Sequence, residues 1–202
     1  MSSKTQIGNV ALLRIGVTQS VGNVDTETSR EAIAIRLIFD DEVDFVLRDF
    51  PWPFATAYHT LELVDGSASS PANGDWTFAY RYPSDCMFAR RIVTERGRRD
   101  ATPPPYKIGR DSQGKLIFTD QEDAVLEYTA DVTDPQEFDA MFASMLAWRI
   151  AANIAPGLSR IEKMSAKAAE MYEIEKTKAQ SRSLNEGQQE EPAESEFIRA
   201  RA

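Results

Sequence analysis

The chain has 202 residues, 42% of them hydrophobic and 27% charged, enough to bury a core in one ordinary domain or one domain with a modest insertion. That balance excludes wholesale disorder, and the formal net charge of -9 argues against a nucleic-acid-coating protein, whose binding comes from lysine and arginine neutralising phosphates. A single cysteine, Cys86, excludes an internal disulfide and fits a reducing compartment.

In chain order, the first sixteen residues lack the basic start and long apolar run of a signal peptide. No later stretch approaches the roughly 18–20 apolar residues of a membrane span, so a soluble, unexported product without a membrane partner is expected. Ile7, Val10, Ala11 and Leu13 or Arg14 recur at helical spacing, with Gly16 at the expected C-terminal cap. A longer helix follows. Thr28-Ser29-Arg30-Glu31 matches a capping box, Ile33, Leu37, Val43, Val46, Leu47 and Phe50 supply an apolar face, and Pro51 ends it. Its other face carries Asp40, Asp41, Asp44 and Arg48, with Asp44 one turn before Arg48.

Between residues 58 and 130 the period changes to short strands, predicted at 60–64, 76–80, 90–94, 115–119 and 124–128 and punctuated by Asn73-Gly74, Gly97, Gly109 and Gly114. Asp134-Pro135-Gln136-Glu137 then signals a helix start, with the aspartate as cap and the proline at the first helical position. That helix carries Phe138, Met141, Phe142, Met145, Leu146, Ile150 and Ile154 until Pro156-Gly157. A second arm is predicted from Ser159, with Glu162 as capping partner, to about Ala179. The predicted fold is α+β but mainly a helical bundle. Two N-terminal helices (1–57) and a C-terminal hairpin (132–181) make the bundle, a small antiparallel β region (58–131) is inserted, and an extended tail (182–202) follows. The tail is polar and acidic around Glu190-Glu191-Pro192, too poor in apolar groups to offset its ordering entropy, so it is expected to order only when bound.

The search for chemistry returns little. His59 is far along the chain from Ser84 and Cys86, and no spacing ties the three into a nucleophilic triad. One His and one Cys cannot make a structural zinc site, and the glycines form no phosphate-binding loop. No catalytic, metal or cofactor residue is therefore expected. The carboxylates Asp40, Asp41, Glu42 and Asp44 read as the solvated side of their helix. Pairs such as Asp40 with Asp44, or Asp120 with Glu122, keep open an alternative, a tail-associated cell-wall or polysaccharide hydrolase. Arg90, Arg91, Arg96, Arg98 and Arg99 concentrate positive charge on one segment, which faces passing DNA, an acidic neighbour or solvent. Phe50-Pro51-Trp52-Pro53-Phe54 joins three large rings to two backbone-fixing prolines and reads as a buried corner.

Three segments carry a resemblance in this order: Ala11-Leu12-Leu13-Arg14-Ile15-Gly16; Phe39-Asp40-Asp41 through Leu47-Arg48-Asp49-Phe50-Pro51-Trp52-Pro53-Phe54-Ala55; and Trp76-Thr77-Phe78-Ala79-Tyr80-Arg81-Tyr82-Pro83-Ser84-Asp85-Cys86. Together they resemble the tail tubular protein A family, the head-to-tail adaptors of short-tailed bacteriophages, over residues 7–179. Pro51, Trp52, Phe54, Tyr80, Tyr82, Pro83 and Asp85 lie in its most specific parts and read as structural. The resemblance implies a non-enzymatic virion protein without cofactor, a ring of about twelve copies between the portal protein and the tail nozzle protein. DNA would pass through its channel without sequence-specific binding. It would sit at the portal–tail junction after assembly in the host cytoplasm, with the tail residues Phe197, Ile198, Arg199 and Arg201 reaching the portal. A departing assembly chaperone is a further alternative.

Overall fold

The computed structural model describes residues 3–65, 75–93, 102–159, 161 and 163–186. Among them the chain forms four helices, α1 (Lys4–Arg14), α2 (Arg30–Asp49), α3 (Ala140–Leu158) and α4 (Met164–Glu186). Seven strands lie between α2 and α3: β1 (Thr56–Thr60), β2 (Leu63–Asp65), β3 (Phe78–Arg81), β4 (Cys86–Val93), β5 (Tyr106–Asp111), β6 (Gly114–Thr119) and β7 (Val125–Ala130).

The Ser3 side chain caps α1 by accepting from the Gln6 amide, and Gly16 follows its end at φ 78°, the left-handed position that glycine adopts without steric cost. Leu12 faces the core while Leu13 is 69% exposed. Ser29 caps α2 through the Ala32 amide, one residue later than the predicted capping box. The inner face of α2 is Ala32, Ile35, Phe39, Val43, Val46 and Leu47, whereas Ile33 and Leu37 point outward. Both stripes are apolar, so periodicity does not choose between them. Gly8 does: a β-carbon there would lie 2.9 Å from Ile35 Cδ1. The close approach of α1 turns Ile35 inward and leaves Leu37, two residues or about 200° further round, on the outside.

The helix starts in the second half also move. Asp134 makes only a local turn, accepting from the Gln136 amide. The helix begins five residues later, where Asp139 accepts from the amides of Met141 and Phe142. Phe138, just before that cap, is buried in a ring cluster with Phe54 and Phe142, and this burial selects Asp139 over Asp134. Pro156 is accommodated inside α3, which ends at Leu158. Ser159 terminates α3 and its hydroxyl donates to the Ile15 carbonyl. Glu162 lies outside the described residues. α4 runs through Glu186, past the predicted helix end near Ala179 and the predicted tail boundary at 182. The tail from residue 187 onward is outside the described residues, as are Phe197, Ile198, Arg199 and Arg201.

The predicted helical bundle with a small β insertion is corrected by the strands. The fold is α+β and sheet-rich, with two antiparallel sheets of three and four strands, ordered β1-β7-β4 and β2-β3-β6-β5. Two causes hid this. β5 contains Gly109 and three charged residues, which dilute its alternation. Irregularities between Cys86 and Phe88 and between Ala89 and Arg91 shift the inward register of β4, so its first half does not alternate. The β region has its own core, in which Leu61, Tyr80, Ile92, Ile117, Leu126 and Tyr128 join side chains from both sheets. A second core unites α1 to α4 with the Trp52 corner and Met87. Gly109 marks how tightly the four-stranded sheet closes, since a β-carbon there would stand 2.3 Å from Phe118 Cε2.

Candidate functional site

The segment Tyr80-Arg81-Tyr82-Pro83-Ser84-Asp85-Cys86 carries the chain from the four-stranded sheet to the three-stranded one. Its side chains are held from both sides. The Tyr80 hydroxyl donates to the Gln121 carbonyl at 2.9 Å, and the Tyr128 hydroxyl donates to Asp85 Oδ2 at 2.8 Å. Arg81 grips Asp111 with two bonds of 3.0 Å and also donates to Gln113. Beside this segment opens a polar cleft of about 660 Å³, with His59, Glu62, Ser84, Cys86 and Lys115 in its walls. Residues that the linear sequence kept apart therefore meet: His59 from β1, and Ser84 and Cys86 at the start of β4.

The electrostatics of the cleft oppose catalysis by its thiol. Cys86 is buried, and burial pushes its pKa up, with the Tyr82 hydrogen bond only partly offsetting this. Nucleophilic cysteines need the opposite, a thiolate stabilised by a nearby cation or helix terminus. Burial, followed by the hydrogen bond to Cys86, raises the Tyr82 phenol. Burial and then the Asp85 hydrogen bond push Tyr128 up to about 12. These phenols stay neutral donors at physiological pH. The Lys115 ammonium lies 5.1 Å from the Tyr82 ring centroid, within cation–π range. What remains is a pre-formed notch with two cations, Arg81 and Lys115, and two carboxylates, Glu62 and Asp85, in its walls, suited to receiving a polar side chain or backbone from a partner.

Asp111 is the titrating group whose behaviour tests this arrangement. The Arg81 hydrogen bonds, then the amide of Gln113, hold its carboxyl down at about 2, against an ordinary 3.8. Because the folded pKa is depressed, the stabilisation is complete above the ordinary value and is lost as pH falls from about 3.8 toward 2. In Arg81→Met the Asp111 carboxyl resonance is expected to titrate closer to the ordinary value, with the Gln113 and Gly114 amides still holding it somewhat below, while the wild-type midpoint stays near 2. Coincident titration curves for the two proteins would show that Arg81 is not the cause.

The other predicted positions fall elsewhere. Trp52 is 2% exposed and Phe54 half-buried, both in the helical core, while Pro51 is exposed at the turn. Arg90 does not project outward: its Nη2 donates to the carbonyls of Leu47 and Arg48 at the end of α2, and its Nε donates to Thr129 Oγ1 at 2.9 Å. Arg91 pairs with Glu127 at 2.8 Å. Arg96, Arg98 and Arg99 lie outside the described residues. Asp40 pairs with Lys4 at 3.1 Å. Asp120 accepts from both the amide and hydroxyl of Thr77, which ties it to the start of β3. Among the described residues no group of three or more His, Cys, Asp or Glu side chains is placed to hold a metal ion, and no helix is long and apolar enough to cross a membrane.

Sequence reasoning missed the polar bolts between helices. Glu42 of α2 accepts from Arg149 and from Asn153 of α3, and the Arg149 guanidinium stands 3.6 Å from the Phe45 ring centroid. Arg14 of α1 donates to the Ser144 carbonyl and hydroxyl and lies over Trp148. Lys176 of α4 pairs with Asp49. The partners of each bolt stand a hundred or more residues apart, so no local spacing announces them. Compared with known families and curated proteins, the chain matches no family model and no curated sequence.

Proposed function

We propose that the chain is a virion structural protein, the head-to-tail adaptor of a short-tailed bacteriophage, acting as a ring of about twelve copies between portal and tail nozzle. What supports this reading is the ordered set of segments that resemble the tail tubular protein A family, taken together with what those segments do here. The Pro51–Phe54 corner joins the helical core to the sheets, and the Tyr80–Cys86 crossing joins the two sheets. Both are architectural. In the adjacent cleft burial raises the pKa of the Cys86 thiol, and Arg81 and Asp85 are engaged by Asp111 and Tyr128, which favours a protein working through its surfaces over an enzyme.

A ring of identical subunits needs two different complementary faces on each copy. Exposed Leu13, Leu37, Phe45, Phe88 and Ile108 offer apolar contact on both the helical and the sheet side. The net charge of -9 suits a channel through which DNA slides, because phosphate-binding cations would retard passage. In this reading DNA is a transient neighbour, bound without sequence preference, and the carboxy-terminal segment with Phe197, Ile198, Arg199 and Arg201 contacts the portal.

The test is the mass of the full-length protein with and without the cognate portal, followed by electron microscopy of virions. A portal-bound ring of about twelve copies, seen at the portal–tail junction, is the expected result. A chain that leaves the portal's mass unchanged and is missing from that junction overturns the adaptor. Hydrolysis of host envelope material that disappears on Asp40→Asn or Asp120→Asn would put the hydrolase in its place.

A further inference from the structure

The four-stranded sheet β2-β3-β6-β5 ends on β2 at one edge and β5 at the other. Its strands are all antiparallel and even in number, so the two edges run in opposite directions. A copy repeated head to tail therefore sets β5 against the next β2 in antiparallel sense, continuing the alternation already present. The residues at the two edges match. The row Leu63, Tyr80, Ile117, Ile108 crosses the sheet on the face of the β core, and its end residues are 54% and 47% exposed. The row Asp65, Ala79, Phe118, Lys107 lies on the other face and ends on an acid at one edge and a base at the other. Glu62 shares the face of Asp65, because the irregularity between Leu63 and Asp65 places one extra residue in β2.

The backbone agrees with the side chains. The Arg81 amide donates to the Glu62 carbonyl at 2.8 Å, so Leu63, the next residue, turns its own amide and carbonyl away from β3. In β6 the Lys115 carbonyl accepts from Tyr82 at 3.2 Å, so Leu116 and Phe118 serve β5. Their partners Gly109 and Lys107 face β6 in return, and Ile108 between them turns outward. We propose that β5 of one copy pairs with β2 of a second copy, Ile108 opposite Leu63. Lys107 then lies between Glu62 and Asp65 of the second copy, and Gly109 leaves room for the Glu62 side chain opposite it. Charges on an edge strand ordinarily guard against strand addition. Here the guards differ in sign, Lys107 and Arg110 on β5 against Glu62 and Asp65 beside Leu63. Like edges therefore repel while β5 and β2 attract. The pairing deepens the adaptor reading by naming the contact through which its copies join, and it rests on that reading only for closure into a ring.

Full-length Leu63→Cys is to be mixed with full-length Ile108→Cys in a glutathione buffer without portal, each also being incubated alone and both retaining Cys86. A hydrogen-bonded antiparallel pair sets its Cα atoms about 5.5 Å apart, an ordinary span for a disulfide. Bridges are read by mass and peptide mapping, and the fold by melting. The mixture is expected to bridge positions 63 and 108 about tenfold faster than either variant bridges to itself. Lys107→Glu in the Ile108→Cys chain should remove the advantage, and Glu62→Lys in the Leu63→Cys chain should restore part of it. All four positions are exposed, so the variants are expected to melt with the wild type. A mixture no faster than its components, or indifference to both charge changes, overturns the pairing even where a portal-bound ring forms. Bridging in the mixture beside a portal of unchanged mass supports the pairing and counts against the adaptor alone.

Discussion

Replacing Trp52 by alanine is expected to lower the unfolding free energy by about 3–5 kcal/mol, the largest loss of any single substitution considered for this chain. Trp52 is 2% exposed and sits where α2 ends and the first strand begins. Its ring meets Phe50 edge-on at 5.0 Å and Phe142 edge-on at 5.3 Å, with Phe54 at 6.5 Å. Such pairs add to simple area burial because the ring edge faces the electron-rich face of its neighbour. The indole also donates to the Val46 carbonyl at 2.9 Å. That carbonyl is in the last turn of α2, where no helical amide remains to satisfy it. Alanine would therefore leave both a cavity and an orphaned acceptor. Phenylalanine fills most of the space but offers no donor, and should cost about 1–2 kcal/mol. Urea unfolding of the three proteins checks this ordering. A Trp52→Ala midpoint equal to that of the wild type would place the ring outside the core.

The second large effect is at Arg90. One guanidinium spans the Leu47 and Arg48 carbonyls of α2 and the hydroxyl of Thr129 in β7, and stacks 4.5 Å from the Phe88 ring centroid. It caps a helix and fastens that helix to the three-stranded sheet. Thr129 is 1% exposed, so water does not readily replace the lost donor. Arg90→Ala is expected to cost about 2–3 kcal/mol, and hydrogen exchange at the end of α2 should quicken. Arg90→Lys should recover little, because a single ammonium cannot reproduce a planar fork aimed at three acceptors. If Arg90 instead acted only on a partner outside the chain, the alanine variant would melt with the wild type and lose affinity alone.

These two residues show how differently a site is written into a sequence. Trp52 announced its role locally, since two prolines and three rings within five residues leave few places but a buried corner. Arg90 read as part of a basic segment on a par with Arg91, because the carbonyls that engage it come from residues 42 and 43 positions away. The same limit explains the cleft. His59 and Cys86 share its wall only because β1 and β4 both pair with β7, a pairing that alternation within one strand does not reveal.

The sequence by itself determined the local features of this protein. Among them are the left-handed turn at Gly16, the end of α2 before Pro51, and the apolar inner face of α3. Each depends on interactions within a few residues, whose free energy is available before the chain has folded. Only the tertiary structure decided which apolar stripe of α2 faces inward, which aspartate starts α3, how far the β region outgrows an insertion, and where each arginine is spent. Those outcomes rest on contacts across dozens of residues, which are gained only after the closing loops have lost their entropy. Several local arrangements of nearly equal free energy were open at each position, and packing selected among them.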